Sequence, residues 1–308
     1  MPVRPATFSI VARNPGQEAI GVAVQSKFVS VGSVVPFAAA DAGAIATQSY
    51  ANVAYGPDGL ERLRDGADAE TVIEDLTAAD EEAETRQVGV VDADGSVAAF
   101  TGEECLEYAG DRQGEQYTVQ GNILEGAATL DAMAEAYETT GGGLPERLLA
   151  ALKAGNEAGG DRRGEQSAAM YVVKPEGGYD GRNDRWIDVR VDDHESPIEE
   201  LERVFRIYDV TLLERETPEE LRELSGPTAA AVLETLAELG QYDGTPSESV
   251  GEKEREALEA FRGVNNFENH SLAVIEDAIA RGWDEAEGTG ETRLVNAIWR
   301  GLSRLDRA

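Results

Sequence analysis

The chemistry that this chain could perform without a cofactor centres on Thr7, which opens the alternating segment TFSIVAR, typical of a buried strand. The sequence holds two histidines, His194 and His270, and one cysteine, Cys105, and their spacing fits neither a metal site nor a histidine-activated nucleophile. A hydroxyl nucleophile would therefore need another base. One option is a lysine, and the other is the α-amino group of a chain that begins at the nucleophile, whose pKa of ~7.7–8.0 suits a base near neutral pH.

Two residues at the ends of predicted strands could assist Thr7. Lys27 follows the second strand, where its ammonium would favour deprotonation of the Thr7 hydroxyl or amine, or would simply face solvent. Asn122, after Gly121, could stabilise an oxyanion with its side-chain amide and a neighbouring backbone N–H, or could support a turn. Both residues are candidates for catalytic roles.

A third group of polar residues lies at the end of the predicted strand 43–49. A fourth group lies in the Gly-rich loop 158–167. Gln48, Ser49 and Asn52 could position a substrate, or could cap a predicted helix over 56–65. The loop 158–167 contains the densest polar cluster of the chain, formed by the residues Asp161, Arg162, Arg163 and Ser167. Arg163 is a candidate for substrate binding, and the alternative is an Asp–Arg ion pair that only holds the loop.

The elements that must position these residues come in blocks of strands and blocks of helices. Alternating or buried apolar segments predict strands at 7–13, 20–26, 43–49, 115–124, 167–173 and 185–191, with a hairpin turning at Asp94-Gly95. Apolar residues at spacings of three and four predict a helical pair over 60–80 and helices over 126–138 and 145–157. This order favours antiparallel sheets between helical layers rather than a doubly wound sheet.

From Ser196 onward the sequence is helical and heavily charged, with no convincing strand. We predict three parts: an α/β domain over 7–195, a helical linker over 196–225 and a small helical domain over 226–308. The stripe formed by Leu294, Ile298, Trp299 and Leu302 is typical of a helix face packed in a core or at a dimer contact.

The net charge of the chain bears on the environment in which the protein works and not on the reaction that it performs. Sixty acidic residues face 27 basic ones, so the formal net charge is −33 at pH 7. This balance disfavours binding to nucleic acid or to an anionic membrane surface. Because acidic residues recur along the whole sequence, we interpret them as an adaptation to a salt-rich cytoplasm, where screening relieves their repulsion. No apolar run is long enough for a membrane span and no secretory signal is visible, so a cytoplasmic location is expected.

Blocks spread over residues 7–195 carry a family resemblance. They are TFSIVAR, GVAVQSKF, ATQSYAN, YGPDGL, RQVGVVD, VAAFTG, VQGNIL and GGDRRGEQSAA. In this order they resemble the domain of unknown function 1028 family, which is grouped with the N-terminal nucleophile (Ntn) hydrolases. The resemblance implies an α+β fold, a four-layer αββα sandwich followed by a small all-α domain. It also implies cleavage of a small amide or peptide-like substrate without a cofactor or metal. Asp161 and Ser167 are similar to the Asp-x-x-Ser pair that supports the nucleophile amine in proteasome-type members, at a wider spacing.

The residues before Thr7 depart from the family pattern, in which many members begin Met-Thr-Phe-Ser-Ile. Here MPVRPA precedes Thr7. An Ntn mechanism therefore requires cleavage between Ala6 and Thr7. The alternatives are a chain that starts elsewhere than at Met1 and a non-catalytic member that binds a metabolite or peptide in the same cleft.

The C-terminal part has its own resemblance. The segments VLETLAELGQYDG (232–244) and EREALEAFRGVNNFENH (254–270) resemble a peptidoglycan-binding-like helical module. That module implies wall or glycan binding as another alternative function. For a cytoplasmic protein we expect it to serve packing or a homodimer contact instead.

Overall fold

A computed structural model describes residues 7–307 of the chain. They form two compact units: unit 1 ends at Glu202 and unit 2 begins at Arg203. The division falls inside a continuous helix, Pro197–Leu212, which begins where the sequence predicts a linker.

Unit 1 contains two antiparallel sheets within its described residues. The strands are β1 Thr7–Asn14, β2 Ala19–Ser26, β3 Pro36–Ala39, β4 Gly43–Ser49, β5 Arg86–Asp92, β6 Val97–Thr101, β7 Gly110–Gly114, β8 Tyr117–Asn122, β9 Ser167–Val173 and β10 Arg185–Val191. The larger sheet has the order β10-β9-β2-β1-β8-β7, and the smaller has the order β3-β4-β5-β6. β1 is therefore central, with β2 and β8 as its hydrogen-bonded neighbours.

Helices cover the outer face of each sheet. The helices of unit 1 are α1 Tyr55–Arg64, α2 Ala69–Ala78, α3 Ala128–Thr139 and α4 Leu144–Glu157. The first two pack on the small sheet and the other two on the large sheet, while the inner faces of the sheets pack on each other. The predicted α+β fold with four αββα layers is confirmed.

Unit 2 is helical, as predicted. After α5 (Pro197–Leu212) come α6 Gly226–Glu238, α7 Glu252–Val264, α8 Leu272–Gly282 and α9 Gly290–Leu302. The predicted stripe on α9 lies in the core of this unit, where Leu294, Ile298 and Leu302 are each at most 1% exposed.

The sequence patterns do not predict two of the edge strands. β3 has four residues and starts at Pro36, and β7 is the polar run GDRQG. Neither alternates apolar with polar residues, because an edge strand needs only one hydrogen-bonded neighbour and can tolerate proline or polar side chains. Their place in the sheets is decided by their neighbours β4 and β8.

The predicted hairpin turn at Asp94-Gly95 is confirmed and has a local cause. The carboxylate of Asp92 accepts hydrogen bonds from the main-chain N–H groups of residues 94–96, over 2.7–2.9 Å. Gly95 has φ 99°, a conformation that glycine adopts at little cost. This turn fixes the register of β5 and β6.

Strand alternation decides which side chains of β1 face the other sheet. Val11 packs between the sheets with Ala44 and Val91, whereas Phe8 lies against the helical layer near Gly155. Successive side chains of a strand point to opposite faces, so Thr7 points, with Val11, into the space between the sheets. The apolar core there gives way to polar side chains at the end of the strands where Thr7 lies.

Candidate active site

A row of polar side chains crosses the large sheet at the start of β1. Thr7 is paired with Asn122 of β8 on one side and with Ser26 of β2 on the other, and Ser26 is paired in turn with Ser167 of β9. Directly paired residues project to the same face of a sheet, so all four side chains point towards the small sheet. Each is at most 2% exposed.

The hydroxyl oxygens of Thr7 and Ser26 are 3.1 Å apart, a hydrogen-bond distance. The ladder accounts for this contact. Arg13 donates its main-chain N–H to Gln116 on the β8 side of β1, and main-chain groups two residues apart point to the same side. The main-chain nitrogen of Thr7 therefore faces Asn122. The pair with Ser26 is consequently of the non-hydrogen-bonded kind, in which side chains lie closer together.

A network of buried amides orients Asn122. Gln87 of β5 donates from Nε2 to the carbonyl oxygens of Gly121 and Gly110, over 2.9 and 3.1 Å. Its Oε1 consequently accepts, from Gln48 Nε2 at 2.8 Å and from Asn122 Nδ2 at 3.0 Å. This orientation leaves the Oδ1 atom of Asn122 buried without a hydrogen-bond partner in the described part of the chain. Nδ2 retains a second hydrogen for another acceptor.

Thr7 lines a cavity of about 350 Å³, called here the Thr7 cavity. Its apolar wall is formed by four side chains that follow β2: Phe28, Val31, Val34 and Val35. Ser167 shapes this wall, since its hydroxyl accepts from the N–H of Val31 at 3.0 Å and donates to the carbonyl of Phe28 at 2.5 Å. Ser167 thus positions the cavity wall and makes no hydrogen bond to Thr7.

The polar side of the Thr7 cavity follows β4 and includes Gln48, Ser49 and Tyr50. Gln48 Nε2 also lies 3.4 Å from the carbonyl oxygen of Thr7. Ser49 has φ 66°, an uncommon conformation for a residue other than glycine. The predicted substrate-binding residues Gln48 and Ser49 are therefore next to Thr7.

Arg86 completes the lining, and two carboxylates hold it. Its guanidinium donates to Asp80 at 2.9 Å, to Glu82 at 2.7 Å and to the carbonyl of Tyr50 at 2.7 Å. Hydrogen bonding to Arg86 keeps the pKa of Asp80 well below its ordinary value. Burial disfavours the charged form of Arg86, but its bonds to Asp80 and Glu82 outweigh this and raise its pKa.

The loop 158–167 is tied to the end of β2. Asp161, 5% exposed, accepts the N–H of Lys27 at 2.8 Å and, from Arg163, the main-chain N–H and two guanidinium hydrogens at 2.8–3.2 Å. The Lys27 ammonium donates to the carbonyl of Glu165 at 2.8 Å. These contacts form the ion pair that the sequence analysis gave as the alternative to substrate binding, an Asp–Arg pair that holds the loop. None of these three side chains lines the Thr7 cavity.

Asn52 is held outside the cavity. Its Nδ2 donates to Asp80 at 3.0 Å, and its Oδ1 accepts the N–H of Ala54, the residue directly before α1, at 3.2 Å. Because Asp80 also binds Arg86, Asn52 supports the cavity lining indirectly. Asn52 thus stabilises the turn before α1, but its side chain accepts no main-chain N–H from within the helix.

Of the nine candidates, the structure brings Thr7, Gln48 and Ser49 together at the cavity, with Asn122 and Ser167 in the same polar row. Sequence reasoning missed Ser26, Gln87 and Arg86. The hairpin of β1 and β2 carries a signal for Ser26, because a tight turn after Asn14 fixes it opposite Thr7. No comparable signal exists for Gln87 or Arg86, which lie on the other sheet.

Residues 7–307, the part of the chain that the structure describes, contain no group of three or more His, Cys, Asp or Glu side chains placed to hold a metal ion. Over the same range no helix combines the length and apolar character needed to cross a membrane.

Comparison with known proteins divides the chain in two. The family model described as "Family of unknown function (DUF1028)" matches residues 7–201, and the one described as "Putative peptidoglycan binding domain" matches residues 211–299. A crystal structure of a Silicibacter pomeroyi protein from the first family is similar, with a TM-score of 0.61 and 33% sequence identity. The similarity covers 66% of this chain and 86% of that chain. No curated protein matches.

Proposed function

Because the chain belongs to the DUF1028 family over residues 7–201, we propose that unit 1 is an Ntn-type amidohydrolase in which Thr7 is the nucleophile. The observation that carries this proposal is the place of Thr7. It opens the central strand of the large sheet, it lines the Thr7 cavity, and its hydroxyl lies within hydrogen-bond distance of Ser26.

The base in this proposal is the α-amine of a chain that begins at Thr7. Such an amine has the pKa needed to accept a proton near neutral pH. In a chain that carries residues 1–6 it forms by hydrolysis of the Ala6–Thr7 bond, and Ala6 lies outside the described residues. The nitrogen of Thr7 is on the side of Asn122, whose buried Oδ1 lacks a partner and is the right type of group to accept a hydrogen bond from an ammonium.

The proposed reaction proceeds in two balanced halves. The Thr7 oxygen bonds to the amide carbonyl carbon while its proton moves to the α-amine. The carbon–nitrogen bond then breaks, and the leaving amine takes that proton. Water attacks the resulting threonyl ester, again with the α-amine as base, which releases the acid and restores Thr7.

The oxyanion that forms in each half needs a donor. Asn122 Nδ2 donates one hydrogen to Gln87 and keeps a second, and the Gln87 contact fixes the orientation of the amide in advance. A donor fixed in this way stabilises developing charge without reorganisation, and loss of such a donor costs ~2.7–4 kcal/mol in known cases.

Two measurements test the proposal. Intact mass of the active species should correspond to a chain beginning at Thr7, and amide turnover by a chain that retains Ala6 would exclude the α-amine mechanism. Thr7→Val keeps the β-branched shape and removes the hydroxyl, so turnover should fall by about 10⁴-fold or more. Thr118→Val is the matched control, because it removes a buried hydroxyl of the same sheet that lies away from the cavity. Equal turnover by Thr7→Val and by the natural protein would exclude Thr7 as nucleophile.

The match over residues 211–299 favours a second candidate function, binding of wall glycan by unit 2. Cosedimentation with insoluble peptidoglycan tests it. Retention on peptidoglycan that free muramyl peptide competes away supports the second function. An unretained protein, at low and at high salt, excludes it.

A further inference from the structure

The Thr7 cavity offers apolar surface to the group that would carry the scissile carbonyl. Val31 and Val35 of its wall are 1% and 3% exposed, and Phe28 and Val34 are half-buried. Burial of apolar surface from water contributes roughly 25 cal/mol per Å². An apolar acyl group would gain from that burial, whereas a charged one would lose its hydration against this wall.

Arg86 is the charged residue among those that line the cavity, and its charge is already balanced. It shares hydrogen bonds with Asp80 and Glu82, and the side chains of Arg86 and Asp80 are only 13% and 12% exposed. A carboxylate on the bound acyl group would therefore approach a guanidinium whose charge Asp80 and Glu82 already balance from outside the cavity lining. Because Arg86 is hydrogen-bonded to Asp80 and Glu82, we do not expect it to bind an anionic acyl group in preference to an uncharged one.

Apolar surface continues next to the cavity-lining segments. Val29, Tyr50 and Val53 are 52%, 37% and 46% exposed; Val29 and Tyr50 belong to the segments 28–35 and 48–51, and Val53 lies two residues after the second. Exposed large apolar side chains that group at one place mark a binding surface more often than scattered ones do. In a chain of net charge −33 this apolar grouping stands out.

The volume limits the size of the ligand. At about 350 Å³ the cavity is near the lower end of the ~300–1,000 Å³ range of small-molecule sites. It suits a small branched or aromatic group and not a long peptide side chain.

We infer that the Thr7 cavity takes amides with a small, uncharged, branched or aromatic hydrocarbon acyl group and discriminates against acyl groups that end in a carboxylate. The reaction on such amides rests on the proposed function, but the binding preference does not.

Turnover provides the first test. The p-nitroanilides of isovaleric, phenylacetic and succinic acid share one leaving group, and each would be offered to protein that begins at Thr7. We expect kcat/KM for the better of the two apolar substrates to exceed that for the succinyl substrate by about 30-fold or more, comparable to strong discrimination in apolar pockets. Equal or faster turnover of the succinyl anilide would overturn the inference.

Binding to Thr7→Val separates the inference from the proposed reaction. Ligand-observed NMR would compare isovaleramide, phenylacetamide and succinamate. If no anilide is cleaved but an apolar amide binds in preference to succinamate, the proposed reaction fails and the acyl preference stands. If succinamate binds as well, or if none of the three binds, the inference is overturned.

A pair of isosteric variants tests the part assigned to Arg86. Glu82→Gln removes one carboxylate from Arg86, and the Glu82 side chain is 74% exposed, so the fold should tolerate the change. We expect turnover of the succinyl anilide relative to the isovaleryl anilide to rise about fivefold, as the balance of charge at Arg86 shifts. Glu81→Gln makes the same change of charge on an exposed neighbour that does not contact Arg86. An equal rise in both variants would overturn the assignment to Arg86.

Discussion

The hydroxyl oxygens of Thr7 and Ser26 lie 3.1 Å apart across the β1–β2 pair, and both side chains are almost fully buried. The contact is made by two residues nineteen positions apart in the sequence. It follows from the register of one hairpin, so any change that shifts this register separates the two hydroxyls. Ser26 is thus a candidate positioning residue for the proposed nucleophile.

Ser26→Ala should lower amide turnover by about 10-fold or more, because the Thr7 hydroxyl loses a fixed neighbour that orients it. Stability should fall by about 1 kcal/mol for the lost buried hydrogen bond. Thr118→Val should cost similar stability and leave kcat unchanged, as measured by urea unfolding and steady-state kinetics side by side. If both variants lower kcat equally, the effect is structural and Ser26 has no role in positioning.

The ion pair of Asp161 and Arg163 should matter for folding more than any surface pair of unit 1. Asp161→Ala removes an acceptor of the Arg163 guanidinium and of two main-chain N–H groups, and breaking a buried pair of this kind costs about 3–5 kcal/mol. The control is Asp180→Ala, which removes an exposed pair with Arg182 and should cost at most about 1 kcal/mol. Urea unfolding measures both. Equal losses would show that the loop 158–167 does not depend on Asp161.

Unit 2 should lose stability in mild acid through His270. This side chain is 4% exposed and its Nε2 atom has no partner in the described residues, and burial lowers its pKa below the ordinary value of 6.5. Arg215 lowers the pKa further, while Asp209, Glu214 and a bond to the backbone of Val210 oppose the shift. The unfolded chain therefore binds more protons than the folded one as the pH falls below ~6.5, and the unfolding free energy must fall there.

Chemical unfolding at about pH 8 and at about pH 5.5 measures the effect, which amounts to ~1.4 kcal/mol for each full unit of pKa depression. His270→Gln should show a smaller difference between the two pH values than the natural chain. An unchanged difference would contradict the assignment to His270 and point to the carboxylates.

The whole chain should become more stable as salt is added. Its net charge of −33 produces self-repulsion, and the Debye length shrinks from about 10 Å at 0.1 M to about 3 Å at 1 M ionic strength. We expect the thermal midpoint to rise between these concentrations, equally in NaCl and KCl because screening depends on ionic strength. A midpoint that falls or stays constant would contradict the interpretation of the acidic residues as an adaptation to salt.

Local patterns predicted the helices and most strands of this fold because each depends on periodicity within about ten residues. The strand that begins at Thr7 and the hairpin that turns at Asp94-Gly95 are examples. The four-residue β3 was missed, since its pairing with β4 and its proline start give no periodic signal.

The residues of the candidate site were likewise predicted only in part. Thr7, Gln48, Ser49 and Asn122 could be singled out because polar residues at strand ends are conspicuous in an apolar segment. Lys27, Asp161 and Arg163 were equally conspicuous, yet their partners turn out to be one another and the loop. Residue type and local position do not predict whether a polar side chain lines a cavity or forms an ion pair, because this depends on which groups face the side chain in the fold.

The sequence by itself determined that a threonine opens a buried strand and that the chain has only two histidines and one cysteine, because composition and alternation need no tertiary contact. Only the tertiary structure decided what surrounds that threonine. The strand register places Ser26 and Asn122 on either side of Thr7. Packing of the two sheets places Arg86 and Gln87, about eighty positions away in the sequence, near the same site. Contacts across two sheets arise from packing of whole layers, and no spacing within one segment encodes them.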